Sequence, residues 1–510
     1  MRVRKKYFAR PTFSAALELR RSPTSTTSAL LTLLILLMLP LASEAQYTFT
    51  TNCGKITLTG YTGPGGVVKL PSHINGRPVT AIGDAAFFGL SQLTNVCLPA
   101  SIQSVGFSAF AACDNLTNAT IGHCVTNLGH DAFRGCPQLK SINVSASNRK
   151  FSSVNGVLFT KAKTTLLQIP AGKSGQLNVP RSVTHIADYA AYECARLTGA
   201  TFGTNVTSIG ELAFANCTDL AGINLPNRLT RIGWEAFRWT GLTNVVIPDS
   251  VTNLGGFAFA GCAQLQSATL GNGVRTINKS TFENCAQLTQ LKLGQGLTAI
   301  GDFAFASSGL TNLALPEGIL NISAFAFNRC TNLTHVTIPN SVTNLGDGIG
   351  VTFARCTRLT SITIGSGVTD LGDATFLNCA SLTEVFFQGN APTYGSDLFT
   401  GATNAAVYYL PGTTGWGASF AGQPTALWQP SLRLSNGTEA QRGANNSFGF
   451  DINWARGTTV VVEACTNLAQ PDWIPLRTNV LTHGTAYFSD PDSATLPTRI
   501  YRATMLRTAP

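Results

Sequence analysis

The segment Ser108-Ala-Phe-Ala-Ala-Cys-Asp-Asn-Leu116 decides the fold, because its pattern returns along most of the 510-residue chain. The core of the pattern, Ala-Phe-x-x-Cys-x-x-Leu, recurs at Ala132–Leu139 and again at Ala213–Leu220. Successive units lie 22 to 26 residues apart, except for one step of 58 residues. A period held this closely indicates a repeat protein. Twelve units share the frame, and their anchor positions are Phe87, Phe110, Phe133, Ala191, Phe214, Phe237, Phe259, Phe282, Phe305, Phe327, Phe353 and Phe376.

Each unit also contains a short segment in which apolar and polar residues alternate. In one unit, Val336 and Ile338 alternate with His335 and Thr337. This alternation predicts a β-strand with one buried face. The Ala-Phe-x-x-Cys segment has the i, i+3 spacing of a short helical turn. One unit is therefore expected to be a single coil of about 23 residues, built from short strands and a short helical turn.

A coil of this size cannot bury its apolar side alone, so the coils are expected to stack. Hydrophobic residues make up 44% of the chain and charged residues 12%, a composition too apolar for disorder. Neighbouring strands would lie about 4.8 Å apart, with the Phe, Cys and Leu positions forming columns inside the stack. Ala191 is the one anchor without a ring, and we predict that neighbouring Tyr189 or Tyr192 fills the space.

The step of 58 residues between Phe133 and Ala191 contains an insertion near residues 148–180. Asn155-Gly156 lies between two apolar runs there, which is a strong signal for a β-hairpin. The insertion also has the densest group of basic residues outside the N-terminal segment. A solvated hairpin explains this group better than an anion-binding site does. Its members are Arg149, Lys150, Lys161, Lys163 and Lys173.

The rest of the chain divides around the repeats. Residues 83–388 hold the twelve coils, residues 46–82 are predicted to form an N-terminal cap, and residues 389–428 are predicted to close the other end. The repeat then stops. Alternating apolar runs separated by turn residues predict a small all-β, sandwich-like domain over residues 430–510.

Residues 1–45 have the organisation of a secretory signal peptide. Seven Lys and Arg residues precede an apolar run from Leu30 to Leu41, and Ser43-Glu44-Ala45 resembles a cleavage site. The run is shorter than the ~20 residues of a bilayer span, so cleavage before Gln46 is favoured over a membrane anchor, and no transmembrane span is expected afterwards. Without the leader the net charge falls from +10 to +5 (28 Lys and Arg minus 23 Asp and Glu). No concentrated basic face is evident, so nucleic acid is not expected as a partner.

The unit Ile-Gly-x-x-Ala-Phe-x-x-Cys-x-x-Leu-Thr-x-Ile-x-Ile-Pro-x-x-Val-Thr resembles the BspA-like leucine-rich repeats of bacterial surface and secreted proteins. The resemblance covers residues 46–428, including the cap at Gly60–Gly66 and the insertion at Asn155–Phe159. It implies a leucine-rich-repeat solenoid that is exported or exposed at the cell surface, in a family of which some members are adhesins that bind matrix proteins or other cells. Residues 430–510 resemble a C-terminal β-module of secreted bacterial proteins.

Nine of the thirteen cysteines occupy one position of the repeat. Thr240 and Ser308 replace cysteine in two units without leaving a partner behind, which favours a small buried packing residue over a disulfide. Stacking would still bring neighbouring cysteines near the ~4.4–6.8 Å Cα separation of a disulfide, so a few bridges stay open as an alternative. The nine are Cys113, Cys136, Cys194, Cys217, Cys262, Cys285, Cys330, Cys356 and Cys379.

The sequence predicts no catalytic, cofactor-binding or metal site, and we expect the protein not to be an enzyme. The six histidines are scattered, and His123-Cys124 is their nearest approach to a ligand pair. No Gly-x-Ser-x-Gly elbow and no Gly-rich loop ending in Gly-Lys-Ser/Thr is present.

The outward face of the strands is the first candidate surface for binding, with Asn244, Asn312 and His335 as candidate partner-binding residues. Its side chains are small, polar and almost uncharged, which suits a protein or polysaccharide partner, although a merely solvated face explains them equally well. Trp234 and Trp239 bracket the Phe237 turn. They are candidate anchors because tryptophan is enriched in interface hot spots, with packing between coils as the alternative.

We therefore predict a secreted or surface-exposed binding protein that uses its solenoid for protein–protein or cell-surface adhesion. The expected partner is an extracellular protein or another cell-surface macromolecule, including a polysaccharide. A carbohydrate-binding or structural envelope protein is the alternative. Solvent-exposed aromatic side chains aligned on one face would favour glycan binding.

Overall fold

A computed structural model describes residues 46–434, 448–455, 457–468, 471–493 and 498–506. The predicted signal peptide lies outside these residues. The regular elements in the described parts are all β-strands, and the strands of successive coils pair into parallel sheets. The chain is thus a β-solenoid of stacked coils, as the repeat predicts.

Ten strands form the N-terminal cap and the first coils. β1 pairs antiparallel with β2 and covers the N-terminal edge of the stack, and later strands run parallel in two series, β2-β5-β7-β9 and β3-β6-β8-β10. The strands are β1 (Tyr47–Asn52), β2 (Lys55–Tyr61), β3 (Gly66–Lys69), β4 (His73–Ile74), β5 (Arg77–Ile82), β6 (Leu93–Cys97), β7 (Ser104–Val105), β8 (Asn118–Ile121), β9 (Asn127–Leu128) and β10 (Ser141–Val144).

Four strands follow in the long step between anchors: β11 (Phe151–Val154), β12 (Val157–Thr160), β13 (Thr165–Gln168) and β14 (Gly175–Asn178). β11 and β12 form an antiparallel hairpin. Its turn residues Asn155 and Gly156 have φ of 49° and 77°, the left-handed conformation that a tight hairpin turn requires. β12 separates two hydrophobic cores, because Leu158 joins the core of the earlier coils, whereas Val157 and Phe159 join that of the later ones.

The later coils repeat a strand of three to five residues and one of two residues. Within each sheet these strands pair in register with their equivalents in the neighbouring coil, as Asn312 does with His335. The strands are β15 (His185–Ile186), β16 (Leu197–Thr201), β17 (Ser208–Ile209), β18 (Gly222–Asn224), β19 (Arg231–Ile232), β20 (Asn244–Ile247), β21 (Asn253–Leu254), β22 (Ser267–Leu270), β23 (Thr276–Ile277), β24 (Gln290–Lys292), β25 (Ala299–Ile300), β26 (Asn312–Ala314), β27 (Asn321–Ile322), β28 (His335–Thr337), β29 (Asn344–Leu345), β30 (Ser361–Ile364) and β31 (Glu384–Phe387).

The remaining strands close the stack and continue beyond it. They are β32 (Ala406–Tyr409), β33 (Ser419–Phe420), β34 (Gln423–Leu427), β35 (Ser431–Leu434), β36 (Phe448–Asn453), β37 (Thr459–Cys465), β38 (Ile474–Val480), β39 (Thr485–Asp490) and β40 (Ile500–Met505). β32 and β34 extend the parallel sheet, while β35-β36-β39 and β38-β37-β40 form two antiparallel sheets that share one hydrophobic cluster. Leu410 belongs to the same cluster, and Trp454 Nε1 donates to the Trp428 carbonyl at 3.2 Å, so these sheets pack against the end of the solenoid.

The Ala-Phe-x-x-Cys segment is not helical, and the predicted short helical turn is wrong. Ser108 and Ala112 flank Phe110 with φ of 49° and 57°, values that a right-handed helix excludes. The N–H groups of Phe110 and Ala112 instead donate to carbonyls of the next coil, each at 2.8 Å. A β-turn, closed by a bond from Ala111 N–H to the Ser108 carbonyl at 3.1 Å, produces the spacing that a helical turn would also produce.

The anchor phenylalanines form the predicted column. Neighbouring rings are stacked with centroids 4.9 to 6.3 Å apart and planes within 23° of parallel. Tyr61 stacks on Phe87 at one end, and Phe399 extends the column beyond Phe376 at the other. We call this set of rings the phenylalanine column.

The gap at Ala191 is filled differently from the prediction. Tyr189 and Tyr192 are only partly buried and lie beneath the Arg134 guanidinium, 5.5 Å from each ring centroid. Phe202 is buried instead and packs edge-on against Phe214 with a centroid separation of 5.6 Å. Phe202 comes from the strand end of the same coil, so a large residue at one inward position compensates for a small one at another.

The nine column cysteines form hydrogen bonds between coils. Each Sγ donates to a backbone carbonyl of the preceding coil at 3.1 to 3.6 Å, as Cys285 does to Phe259 at 3.2 Å. None of the thirteen cysteines forms a disulfide in this structure. Thr240 and Ser308 place a hydroxyl near the thiol of the next coil, at 3.2 and 3.4 Å, which explains why both residues substitute at this position.

The glycine of the Ile-Gly pair allows the coils to approach closely. A Cβ added to Gly233 would lie 2.5 Å from the carbonyl carbon of Gly210, and one added to Gly255 would lie equally close to Gly233. Real Cβ atoms do not make such contacts with backbone atoms. Close stacking therefore accounts for the glycine in most coils, while Ala187, Asn278 and Ser323 take the equivalent position in three others.

Candidate binding surface of the solenoid

Asn312 and His335 lie on the outward face of the strands, as the sequence predicts, and are direct neighbours across β26 and β28. The Thr334 hydroxyl connects them, donating to Asn312 Oδ1 at 3.2 Å and lying 3.0 Å from His335 Nδ1. Asn244 is also exposed, but it belongs to the separate sheet β20-β22-β24. The structure therefore places two of the three polar candidates together and leaves the third apart.

Trp234 and Trp239 lie at another part of the coil, on either side of the turn around Phe237. The two residues are 42% and 48% exposed, so packing between coils covers about half of each and leaves the rest open to solvent. Trp234 Nε1 donates to Glu235 Oε1 at 3.0 Å, and Glu235 Oε2 accepts from Arg238 at 2.9 Å. The Arg238 guanidinium lies 3.9 Å from the centroid of the Trp239 ring. A chain of polar contacts thus joins the two tryptophans.

Each indole rests on a glycine of the following coil. A Cβ at Gly256 would lie 2.6 Å from Trp234 Cζ3, and one at Gly261 would lie 2.1 Å from Trp239 Cδ1. Phe257 packs against Trp234 with a centroid separation of 4.9 Å and lies 5.5 Å from the Arg238 guanidinium. We call this group, formed by Trp234, Glu235, Arg238, Trp239 and Phe257, the tryptophan edge.

The contacts fix the tryptophan edge before any partner binds. The Glu235–Arg238 ion pair is partly buried, with side-chain exposures of 17% and 27%, so solvent screens it less than a surface pair. An arginine over an indole face adds a cation–π attraction. The edge is therefore an exposed aromatic surface with restricted side-chain freedom.

The thiols of Cys217 and Cys262 do not have the properties of catalytic nucleophiles. Burial raises the pKa of Cys217 to about 12 and that of Cys262 to about 11, so both stay protonated at neutral pH. A nucleophilic cysteine needs an accessible thiolate with a lowered pKa. Within the described ranges, no group of three or more His, Cys, Asp or Glu side chains is arranged to hold a metal ion.

The basic insertion cluster has structural contacts. Lys161 Nζ donates to the Ala146 carbonyl at 3.1 Å, and Lys173 Nζ donates to the Asn155 carbonyl at 3.0 Å. Two of its five cations thus hold the loops around the hairpin. This arrangement favours the solvated-hairpin interpretation over an anion site.

The coils and their anchor column match a known repeat family. A model of the BspA-type leucine-rich repeat region matches residues 68–175, 172–266, 252–349 and 349–415, which is more than half of the chain. The chain belongs to the BspA-type leucine-rich repeat family. In this BspA-type protein the family match covers the whole tryptophan edge and all three polar candidates.

Solved structures of bacterial repeat proteins are similar to this BspA-type chain. A leucine-rich cell surface protein from Faecalibacterium prausnitzii shares 23% identity over 73% of this chain and 97% of its own, with a TM-score of 0.41. A leucine-rich repeat protein from Bacteroides ovatus shares 24% over 62% and 92%, with a TM-score of 0.38. The pneumococcal vaccine antigen PcpA shares 21% over 55% and 92%, with a TM-score of 0.37. A comparison with curated proteins finds no match.

The described residues of the BspA-type chain include no helix of the length and apolarity needed to cross a membrane.

The sequence identified both tryptophans of the edge but not Glu235 and Arg238. Their i, i+3 spacing within the turn was the available signal, because such a pair can meet across a turn. The contacts of Trp234 with Gly256 and of Trp239 with Gly261 depend on how consecutive coils are aligned, and the sequence of a single unit does not reveal that alignment.

Proposed function

We propose that this BspA-type chain is a secreted or surface-exposed binding protein whose solenoid mediates protein–protein or cell-surface adhesion. The observation that carries the proposal is the tryptophan edge, where two half-exposed indoles are held by an ion pair and two glycine seats. The predicted signal peptide and the family membership support a place outside the cell. The partner is an extracellular protein or another cell-surface macromolecule.

The physical reason for choosing this edge is that ordered aromatic side chains lose little conformational entropy when a partner binds. Association costs free energy when flexible side chains become ordered, about 0.5–1.5 kcal/mol for each immobilised side chain. Trp239 is already ordered by Arg238 and Gly261, so it loses little freedom when a partner covers it. Tryptophan and arginine are also the residue types most enriched in interface hot spots.

The outward strand face would supply a polar rim. Asn312 and His335 present hydrogen-bonding groups next to each other. Rim contacts of this kind exclude water and fix orientation but contribute little affinity by themselves. We further propose that β35–β40 form a small all-β domain attached to the solenoid, separate from the adhesive surface.

The test is equilibrium binding of the full chain to a panel of purified extracellular matrix proteins, comparing the wild type with Trp239→Ala. The substitution removes a hot-spot indole, so affinity for a bound panel member is expected to fall at least tenfold, equivalent to about 1.4 kcal/mol or more. Trp239 lies outside the buried core, so thermal unfolding should change little.

Trp473→Ala is the matched control. Trp473 also carries an arginine over its ring, with the Arg502 guanidinium 4.2 Å from its centroid, and Arg502 also pairs with a glutamate, Glu463, at 2.7 Å. It lies in the C-terminal strands, so binding should be retained. Equal loss in both variants, or unchanged binding of Trp239→Ala, would refute the tryptophan edge as the contact.

A further inference from the structure

A shallow cleft of about 330 Å³ lies beside the tryptophan edge. Trp234 forms one wall, and Arg231 and Lys279 contribute cationic groups. Its volume is at the lower end of the range for small-ligand sites, about 300–1,000 Å³, and suits one or two rings. No partner-binding residue predicted from the sequence other than Trp234 lines it.

The floor of the cleft is bare backbone. Gly233 and Gly255 form part of it, and both are glycine because a Cβ there would lie 2.5 Å from the neighbouring coil. The glycine row ends at the next coil, where Asn278 takes the equivalent position and its Nδ2 bonds to the Leu254 carbonyl. A flat floor thus lies between an indole wall and an amide wall.

The charges in the cleft leave one cation unmatched. Arg231 pairs with Glu211 at 3.3 Å, and both side chains are about half exposed. Lys279 is exposed and has no ion pair or side-chain hydrogen bond among the described residues. The cleft therefore has a net positive charge that an anionic group on a ligand would neutralise.

We propose that this cleft binds a carboxylate-bearing sugar unit. The C–H face of the sugar ring packs on the Trp234 indole, Lys279 Nζ binds the carboxylate, and the exposed Asn253 amide takes a ring hydroxyl. Flat rings with polar edges are complementary to a flat floor flanked by an indole and amides. This site goes beyond the adhesive contact: it shares Trp234 with the tryptophan edge, but Trp239 does not line it.

An extended acidic peptide suits the cleft less well. Peptides commonly bind by adding a strand to a free sheet edge. The strand that carries Arg231, β19, is already paired on both sides, with β17 and β21. β21, which carries Asn253, ends this sheet, but the next coil stacks directly on it, with the Phe257 N–H bonded to the Lys279 carbonyl at 2.9 Å. An added peptide strand has no room between the two coils, which leaves ring stacking and a charge contact as the means of recognition.

The test is calorimetric titration of the full chain with a hyaluronan tetrasaccharide, which carries carboxylates and no sulfate, and with its carboxyl-reduced, neutral counterpart. We expect saturable binding of the acidic form and at least tenfold weaker binding of the neutral form. Lys279→Gln should weaken acidic binding about tenfold, as loss of one charge-assisted hydrogen bond does. Trp234→Ala should weaken it to a similar degree.

Two variants are controls for the titration. Lys292→Gln removes an exposed lysine from the strand face and should leave tetrasaccharide binding unchanged. Trp239→Ala should also leave it unchanged, which separates this site from the adhesive contact. Equal affinity for the acidic and neutral sugars, or full binding by Lys279→Gln, would overturn the proposal. Lysine-dependent binding of a glutamate-rich peptide without tetrasaccharide binding would overturn it in favour of a peptide site.

Discussion

Phe282 is completely buried between two other rings of the phenylalanine column, 5.5 Å from Phe259 on one side and 5.5 Å from Phe305 on the other. A ring in this position contributes to two interfaces between coils at once. Stability in a solenoid is shared between neighbouring repeats, so the loss of one ring weakens the stack on both sides. A single ring of the column therefore contributes to the stability of the contacts between its coil and both neighbouring coils.

Phe282→Ala is expected to lower the free energy of unfolding by about 3–5 kcal/mol, because it removes the ring and leaves a cavity. Urea denaturation followed by circular dichroism would measure the change. Phe107→Ala is the matched control, since Phe107 is 42% exposed and lies outside the column. It should cost less than about 1 kcal/mol. Similar losses in both variants would contradict the role of the column.

The column thiols should make stability depend on alkaline pH. Burial raises the pKa of Cys217 and Cys379 to about 12 and that of Cys262 and Cys330 to about 11, above the value near 9 of an unfolded thiol. Groups with a raised folded pKa contribute their full stability below pH 9 and lose it as the pH rises through 11 to 12. The melting temperature under reducing conditions should therefore fall steeply above pH 9.

The control for this pH profile is a variant with serine at those four cysteines, following Ser308, which the chain already uses at the same position. Tyrosines titrate in the same range in both proteins, so the difference between the curves isolates the thiols. The variant should show a shallower alkaline slope. Identical slopes would show that thiol ionisation does not limit stability.

At the scale of the element, the Ala-Phe-x-x-Cys turn has features that the sequence predicts and a backbone conformation that it does not. The period of 23 residues and the inward Phe, Cys and Leu positions could be predicted, because they repeat visibly. The backbone of the turn could not, because Phe257, Phe303 and Phe325 adopt positive φ although none is glycine. Hydrogen bonds to the next coil impose that conformation, and composition does not reveal them. Phe399 was missed because Ala402 stands where other coils have cysteine.

Gly233→Ala should destabilise the solenoid, since its Cβ would lie 2.5 Å from the backbone of the preceding coil. We expect a loss of about 1–3 kcal/mol from overpacking, measured by thermal or urea unfolding. Gly222→Ala is the control, because an added Cβ there meets no atom within 4 Å. That variant should stay within about 0.5 kcal/mol of the wild type. The glycine row would not be a stacking requirement if both variants behaved alike.

At the scale of the whole molecule, the solenoid separates packing from binding. The apolar columns and thiol bonds lie inside, whereas the polar strand positions and the tryptophan edge lie on the outside. The location of the edge could be predicted because two tryptophans bracket one anchor in the sequence. Its organisation could not, since Gly256 and Gly261 come from a neighbouring coil whose register is visible only in the folded stack. The cleft beside Trp234 could not be predicted for the same reason, because its lining residues come from several coils.

Amide hydrogen exchange of the full chain, free and saturated with an extracellular protein that it binds, tests the adhesive surface most directly. We predict slowed exchange in the coils that carry the tryptophan edge, within residues 228–261, and unchanged exchange in β36–β40. Protection confined to β36–β40, with the tryptophan coils unaffected, would contradict the proposal that the solenoid provides the contact.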